Sequence, residues 1–362
     1  MSQEQATEET ADEFGLRMVE TVSSGFVTLA TSMGVRTGLF SHLARMDGPK
    51  TSAQIAEMAN MKERYVREWL AVMVTGQIVE YDKEQKTFFL PKHRMAALLP
   101  DAGINSIGTL SHLMSQLAPV SGDVSDCFPA NGPKGLPYSA YPEFHASMGG
   151  MREMQHKTSL VDNFLPTIPG LREDLESGIR VLDVACGRGI TTLILAQHFP
   201  NSNFVGTDLC EDAIQWPTEE VTKRGLANVT FQVQDLAKMP ADWSDSFDYV
   251  LVWDAVHDQA DPDRALREIF RMVKSGGRFS MVDIRGHTEL ADNMRDPASP
   301  AHYGISLLHC MTVSLYFGGR GLGTRWGQEL ASEMLQEAGF ADIQLLDVPN
   351  SPSELHFLCK KS

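Results

Sequence analysis

Val181-Leu-Asp-Val-Ala-Cys-Gly-Arg-Gly189 is the stretch whose reading decides the fold. An apolar strand carrying one carboxylate, Asp183, runs into a loop where Gly187 and Gly189 let the backbone approach a ligand closely. Helix-like sequence follows at once, from Ile190 to His198. A strand, a glycine loop and a helix N-terminus together make a nucleotide-binding crevice. The spacing is D-x-x-x-G-x-G, not the G-x-G-x-x-G of dinucleotide sites. A carboxylate at the mouth of the crevice would repel a pyrophosphate and attract an ammonium, so a cationic ligand is expected.

Alternating strand and helix signals continue downstream. Asn203-Phe-Val-Gly-Thr-Asp208 reads as a second strand ending in a carboxylate, 25 residues after Asp183, with Leu209 beside it. A carboxylate there can accept both hydroxyls of a ribose. Val229 to Gln234 is a third strand, followed by Asp235-Leu236, and Phe247 to Trp253 is a fourth. A helix near Pro262 to Val273, a turn at Lys274-Ser-Gly-Gly-Arg278 and a fifth strand from Phe279 to Ile284 come next. Strands separated by helix-length segments indicate a parallel sheet covered on both faces. Two late strands, Ile343 to Val348 and Leu355 to Cys359, flank a Pro-Asn-Ser-Pro-Ser turn and close the sheet as a hairpin.

The N-terminal third has another rhythm. Apolar residues recur at helical spacing from Phe14 to Arg36, and residues 1–13 read as a disordered acidic tail. Thr51-Ser-Ala-Gln54 is a capping-box pattern, Arg64 to Val74 forms a longer helix, and Ile78–Tyr81 pairs with Thr87–Leu90 as a hairpin. These elements make a winged helix. The expected division is therefore a helix plus winged-helix dimerisation and lid domain over 14–98, a helical connector with a substrate-lid loop over 99–170 and a cofactor domain over 171–362.

Composition narrows the partners. A net charge of −16 argues against broad attraction to nucleic acid or anionic membrane. Between residues 41 and 98 nine Lys/Arg stand against seven Asp/Glu, a weak basic excess for a helix that must track phosphates. No stretch approaches the roughly 20 apolar residues that span a bilayer. Five cysteines without a C-x-x-C pair fit reduced thiols in the cytoplasm.

The Val181–Gly189 tract resembles motif I of the class I S-adenosylmethionine-dependent methyltransferases, and the closing hairpin is shared with them. Trp253-Asp254-Ala-Val-His257-Asp258-Gln259 is similar to the His-Asp segment of small-molecule O-methyltransferases, whose matching histidine is the base. Longer tracts resemble winged-helix methyltransferases of the mycobacterial type. They are Gly34–Phe40, Glu63–Leu70, Val74–Tyr81, Pro137–His145, His309–Leu315 and Gly321–Gly327. The resemblance implies a seven-stranded Rossmann-like α/β domain behind a winged helix, S-adenosylmethionine as methyl donor, a small-molecule acceptor and a homodimer.

It also implies site residues. Asp183, Gly187, Gly189, Asp208, Leu209, Asp235, Leu236 and Asp254 are expected at the cofactor, with Asp235 taking the adenine amine. His257 is the expected general base, its tautomer fixed by Asp258 or a backbone carbonyl. Tyr138, Tyr141, His145 and His309 are expected at the acceptor. No metal is assigned, since neither His302 with His309 nor Asp254 with Asp283 has a third ligand set by spacing. The glycine run Gly318–Gly323 lacks a P-loop lysine and reads as a hinge-like loop. The competing reading is a DNA-binding regulator that senses S-adenosylmethionine through a degenerate catalytic domain.

Overall fold

The computed structural model describes residues 9–99 and 107–362. The chain divides into two compact units, Met1–Ser115 and Gln116–Ser362. The segment read as a connector is therefore split between them and forms no unit of its own.

In the first unit α1 (Ala11–Arg36) begins earlier than the expected tail allows. Thr10 and Glu13 form a reciprocal capping box that satisfies two orphan N–H groups, so order starts inside the acidic run. Residues 1–8 of the tail lie outside the described residues. Three shorter helices follow: α2 (Leu39–Ala44), α3 (Ser52–Met58), capped by Thr51 and Gln54 as its sequence predicts, and α4 (Glu63–Thr75). The wing is an antiparallel pair, β1 (Glu80–Asp82) and β2 (Thr87–Phe89), with Tyr81 opposite Phe88. Phe40, Leu43, Ile55, Val66, Leu70 and Met73 fill the core. Gly34 lets α1 approach it: a Cβ there would lie 2.5 Å from the Trp69 ring.

Two surfaces of this unit bear on partners. Phe14, Leu16, Val19, Val22 and Phe26 of α1 are exposed. On α4, Arg64 pairs with Glu68 and Arg67 lies 3.5 Å from Glu63, so both arginines have carboxylate partners on their own helix.

The second unit is built on a seven-stranded sheet. Its strands are β3 (Arg180–Val184), β4 (Asn203–Asp208), β5 (Val229–Val233), β6 (Phe247–Trp253), β7 (Val273–Ile284), β8 (Asp342–Asp347) and β9 (Glu354–Lys360). Their order is β5-β4-β3-β6-β7-β9-β8. The first five are parallel, and β9 runs antiparallel to both β7 and β8. Alternation splits the core in two. Leu182, Val184, Val250, Val252, Phe279 and Met281 pack under the helices Pro262–Met272 and Gln328–Ala338. Val181, Tyr249, Leu251 and Val282 join the opposite cluster with residues of Ile190–His198. Burial on both faces explains the nearly continuous apolar runs of the parallel strands.

One expectation is corrected. Lys274–Arg278 is no separate turn but an irregularity inside β7, between the pairs Phe247↔Val273 and Tyr249↔Arg278. Gly276 N donates to Lys361 O at 2.8 Å and Lys361 N to Gly277 O at 3.1 Å, which holds the bulge to the end of β9.

Strand order reverses between β3 and β6, and a doubly wound sheet opens a crevice there, outside the strand carboxyl ends. Gly187 and Gly189 follow β3, Asp208 ends β4, Asp235 follows β5, and Asp254 and His257 follow β6, all at the strand carboxyl ends.

Candidate active site

At the tip of β3 the backbone turns through positive φ at Ala185, Gly187 (+53°) and Gly189 (+60°). Gly189 is required sterically, because a Cβ would meet the Phe231 ring at 2.3 Å. Gly187 is different: a Cβ there would meet nothing within 4 Å, so its loop borders open space. Asp183 is not at the mouth. It is 3% exposed and accepts from Thr192 Oγ1 at 2.5 Å, tying the strand to the helix behind the loop. Burial pushes its pKa up to about 7, against the pull of the Thr192 hydrogen bond.

The end of β4 faces the same opening. Asp208 accepts from Gly187 N (2.8 Å) through Oδ2 and from Cys210 N (2.9 Å) through Oδ1. Leu209 beside it is 50% exposed, an apolar side chain left bare next to a fixed carboxylate. Asp235 caps a 3₁₀ turn by accepting from Ala237 N at 2.9 Å. Leu236 is buried in the sheet core, so any contact it makes to a ligand is through its backbone.

Beyond β6 the turn Val256–Asp258 directs His257 inward. Its Nδ1 donates to Asp283 Oδ1 at 2.7 Å, and its Nε2 lies 3.3 Å from Asp258 Oδ1. Burial opposes charge on the ring, but Asp283 and Asp258 outweigh it and hold the pKa well above 6.5. The expected tautomer partner is thus corrected: Asp283 takes that place and Asp258 faces the other nitrogen. Register explains it, since Trp253 of β6 lies opposite Val282 of β7, and the residues that follow reach the same sheet edge.

Asp254 stands at φ +58°, a sparsely populated region for a residue with a Cβ. Burial raises its pKa to about 7, while His257 and Arg152 pull it down. Arg152 lies 3.6 Å from it and donates to Glu354 Oε1 at 2.9 Å. Trp253 Nε1 donates to the same Glu354 oxygen at 2.8 Å. No sequence pattern pointed to Arg152 or Glu354, because the two residues are 202 positions apart in the chain.

The helix Phe144–Ser159 and the segment before it supply the aromatic side. His309 is fully buried on a π-helical turn, Ser306–Cys310, a geometry frequent at functional sites. Phe144 stacks on it at 3.8 Å and Tyr141 meets it edge-on at 4.6 Å. Tyr141 Oη donates to Leu308 O at 2.5 Å. Tyr138 lies 5.9 Å from His309 and 5.8 Å from His145, ring centre to ring centre. Desolvation lowers the His309 pKa to about 4, so the ring is neutral. His302 does not converge with it, and its Nδ1 faces Arg325 Nη2 at 2.6 Å.

Two triplets bring one possible metal-ligand atom each within 4.8 Å of one another among the described residues. They are Asp254, His257 and Asp283, and His257, Asp258 and Cys310. His257 is shared, and its Nδ1 is already given to Asp283.

Residues 175–339 match the family described as methyltransferase domain, and residues 25–99 match the family described as Rv2258c-like winged HTH domain. The chain joins a winged-helix domain to a methyltransferase domain. A demethylmenaquinone methyltransferase of Listeria monocytogenes serotype 4a (strain HCC23) is 26% identical over 198 residues, 52% of this chain and 80% of the relative. Two solved structures share the fold of the methyltransferase along nearly its whole length. Human N-acetylserotonin methyltransferase in complex with S-adenosylmethionine has a TM-score of 0.67 at 15% identity, covering 99% of this chain and 100% of that one. An O-methyltransferase family protein from Burkholderia thailandensis has a TM-score of 0.63 at 14% identity, covering 99% of each.

A methyltransferase domain needs a methyl donor, and S-adenosylmethionine is the one that the human N-acetylserotonin methyltransferase structure contains. The residues present fit it: the open space at Gly187, the carboxylate of Asp208 fixed by two backbone donors and the bare apolar face of Leu209 suit a nucleoside. Among the described residues no helix is long and apolar enough to cross a membrane.

Proposed function

We propose that this methyltransferase methylates a hydroxyl oxygen of a small-molecule acceptor, with His257 as general base. The observation that carries the reading is the buried His257–Asp283 pair at 2.7 Å. A carboxylate on Nδ1 holds one tautomer and stabilises the imidazolium, which leaves Nε2 to take a proton, the division of labour of a catalytic triad. A hydroxyl needs that help far more than a thiolate or free amine does.

At the other end Asp208 takes the ribose hydroxyls, Asp235 the adenine amine, and Leu209 and the Leu236 backbone flank the base. Gly187 and Gly189 let the loop lie against the cofactor, and Asp183 acts through the loop it braces. Asp254, held by Arg152, borders the methionine end. When bound, the cofactor supplies an electrophilic methyl group, so the protein contributes positioning and proton transfer. Tyr138, Tyr141, His145 and His309 contact the acceptor.

The test is the pH dependence of methyl transfer. Because Asp283 and Asp258 raise the His257 pKa, the parent rate climbs with pH through a pKa above 6.5. In Asp283→Asn that inflection moves to lower pH and the maximal rate falls. An unchanged inflection in Asp283→Asn rules out the pair as the source of the base.

The exposed apolar residues of α1 support a homodimer closed by that helix, since a surface helix buries such a stripe. Light scattering is expected to report a dimer at micromolar concentration and a monomer when residues 1–36 are removed. Five free cysteines support the cytoplasm as its compartment.

A further inference from the structure

Glu354 opens β9, opposite Ile284 of β7, and its side chain is 3% exposed. An ionised carboxylate at such a depth is costly unless it is fully paired. Here both oxygens are taken. Oε1 accepts from Arg152 Nη1 at 2.9 Å and from Trp253 Nε1 at 2.8 Å, and Oε2 accepts from Gln155 Nε2 at 2.8 Å. Gln155 in turn accepts from Arg152 Nη1 through Oε1 at 2.8 Å. Glu354, Arg152 and Gln155 therefore close a ring of hydrogen bonds that uses both N–H groups of Nη1. The guanidinium also lies over the Trp253 ring, 4.9 Å from its centre.

The other end of the guanidinium is not closed in this way. Arg152 Nη2 stands 3.6 Å from Asp254 Oδ2, an ion pair too long for a hydrogen bond. Both side chains keep some exposure, 15% for Arg152 and 17% for Asp254. We infer that Glu354 is a positioning residue. Its grip on Arg152 holds the Arg152–Asp254 pair apart, so that the zwitterionic amino-acid end of the cofactor enters between the two charges. The inference rests on the S-adenosylmethionine reading of this crevice and adds to it a residue that acts only through Arg152.

Charge and donor count both point to this role rather than to plain bracing of the core. One guanidinium faces two carboxylates, and Glu354 alone is enough to match it, so Asp254 is not needed to neutralise Arg152. Without the Glu354 charge the guanidinium has one carboxylate left, Asp254, and closes on it. A glutamine cannot replace Glu354 in the ring, because it offers one acceptor where the ring needs two. Whichever way its amide and that of Gln155 turn, two N–H groups face each other.

The test is calorimetry on the full chain with S-adenosylhomocysteine and with 5′-methylthioadenosine, which keeps the nucleoside and lacks the amino-acid end. Glu354→Gln is expected to weaken S-adenosylhomocysteine about tenfold, the scale of one charge-assisted hydrogen bond, while 5′-methylthioadenosine binds as in the parent. In an Asp254→Asn background the same substitution is expected to cost less than about twofold, because Arg152 then has no carboxylate to close on. A merely structural role would weaken both ligands equally and cost the same in either background. If Glu354→Gln does not fold, Gln155→Met opens the same ring with the buried charge kept. A loss of about threefold, confined to S-adenosylhomocysteine, is then expected. Unchanged S-adenosylhomocysteine affinity in Glu354→Gln, or in Gln155→Met where only that variant folds, overturns the inference. Equal losses for the two ligands, or an undiminished loss in the Asp254→Asn background, overturn it as well. Failure of S-adenosylhomocysteine to bind the parent chain removes the cofactor reading, and this inference with it.

Discussion

The proposed cofactor end and the proposed acceptor end of the crevice are built by different rules. At the cofactor end the key groups are backbone and strand-end carboxylates. Gly187 and Gly189 follow β3 and Asp208 ends the neighbouring parallel strand β4; Asp208 and Asp235 each accept from an amide two residues on, and Asp208 also accepts from Gly187 across the two loops. At the acceptor end the groups are side chains from three distant segments, around Phe144, His257 and His309, and several are buried without a partner. A site completed by its own backbone is rigid before anything binds. A site holding bare buried polar atoms is completed by what binds to it.

Separability of the two ends is the sharpest way to break this contrast. His257→Ala is expected to lower turnover about 10²- to 10⁴-fold, the usual contribution of a general base, while S-adenosylmethionine affinity stays near that of the parent. Single-turnover rates and calorimetry measure the two separately. A parallel loss of cofactor affinity would show that the two ends are one cooperative unit.

The converse substitution is smaller in effect. Asp208→Ala is expected to weaken S-adenosylmethionine binding by about 1 to 3 kcal/mol, the range for leaving buried polar groups unpaired. Here the Gly187 amide also loses its acceptor. Retained affinity in that variant would remove Asp208 from the ribose.

The smallest effect concerns Asp183. Its pKa in the folded chain, about 7, is above the ordinary carboxylate value of 3.8 because it is buried. A raised acid contributes stability that is complete below the unfolded pKa and is lost as pH rises through the folded one. Asp183→Asn keeps an acceptor for Thr192 without the charge, so it is expected to stabilise the chain by on the order of 1 kcal/mol at pH 8. The gain should shrink toward zero near pH 4. Thermal melts across that range check it, and a variant less stable than the parent at pH 8 would mean the charged form is needed.

The same contrast sets what could be read from sequence. Thr51-Ser-Ala-Gln54 and the strand ends at Asp183 and Asp208 were legible because capping and strand–loop–helix turns are local chemistry. The capping box at Thr10–Glu13 carried the same kind of signal inside an acidic run that otherwise reads as disorder. Asp283 was visible only as a strand-end carboxylate, and nothing in its neighbourhood said that it would meet His257, 26 residues earlier. Arg152 and Glu354 carried no local pattern, and Phe144 lay in a resembling tract with no role of its own.

By itself the sequence determined the order of strands and helices, the glycine loop and the identity of the histidine after β6. Each depends on periodicity, turn chemistry or spacing along a short stretch. Only the tertiary structure decided that Asp283 holds the Nδ1 of that histidine, that Asp183 is internal, and that His309 is clamped beside Asp258 with its nitrogens bare. Those outcomes depend on which parallel strands become neighbours and in what register, and on how a helix packs across the sheet edge. Such long-range pairings leave no period in the chain.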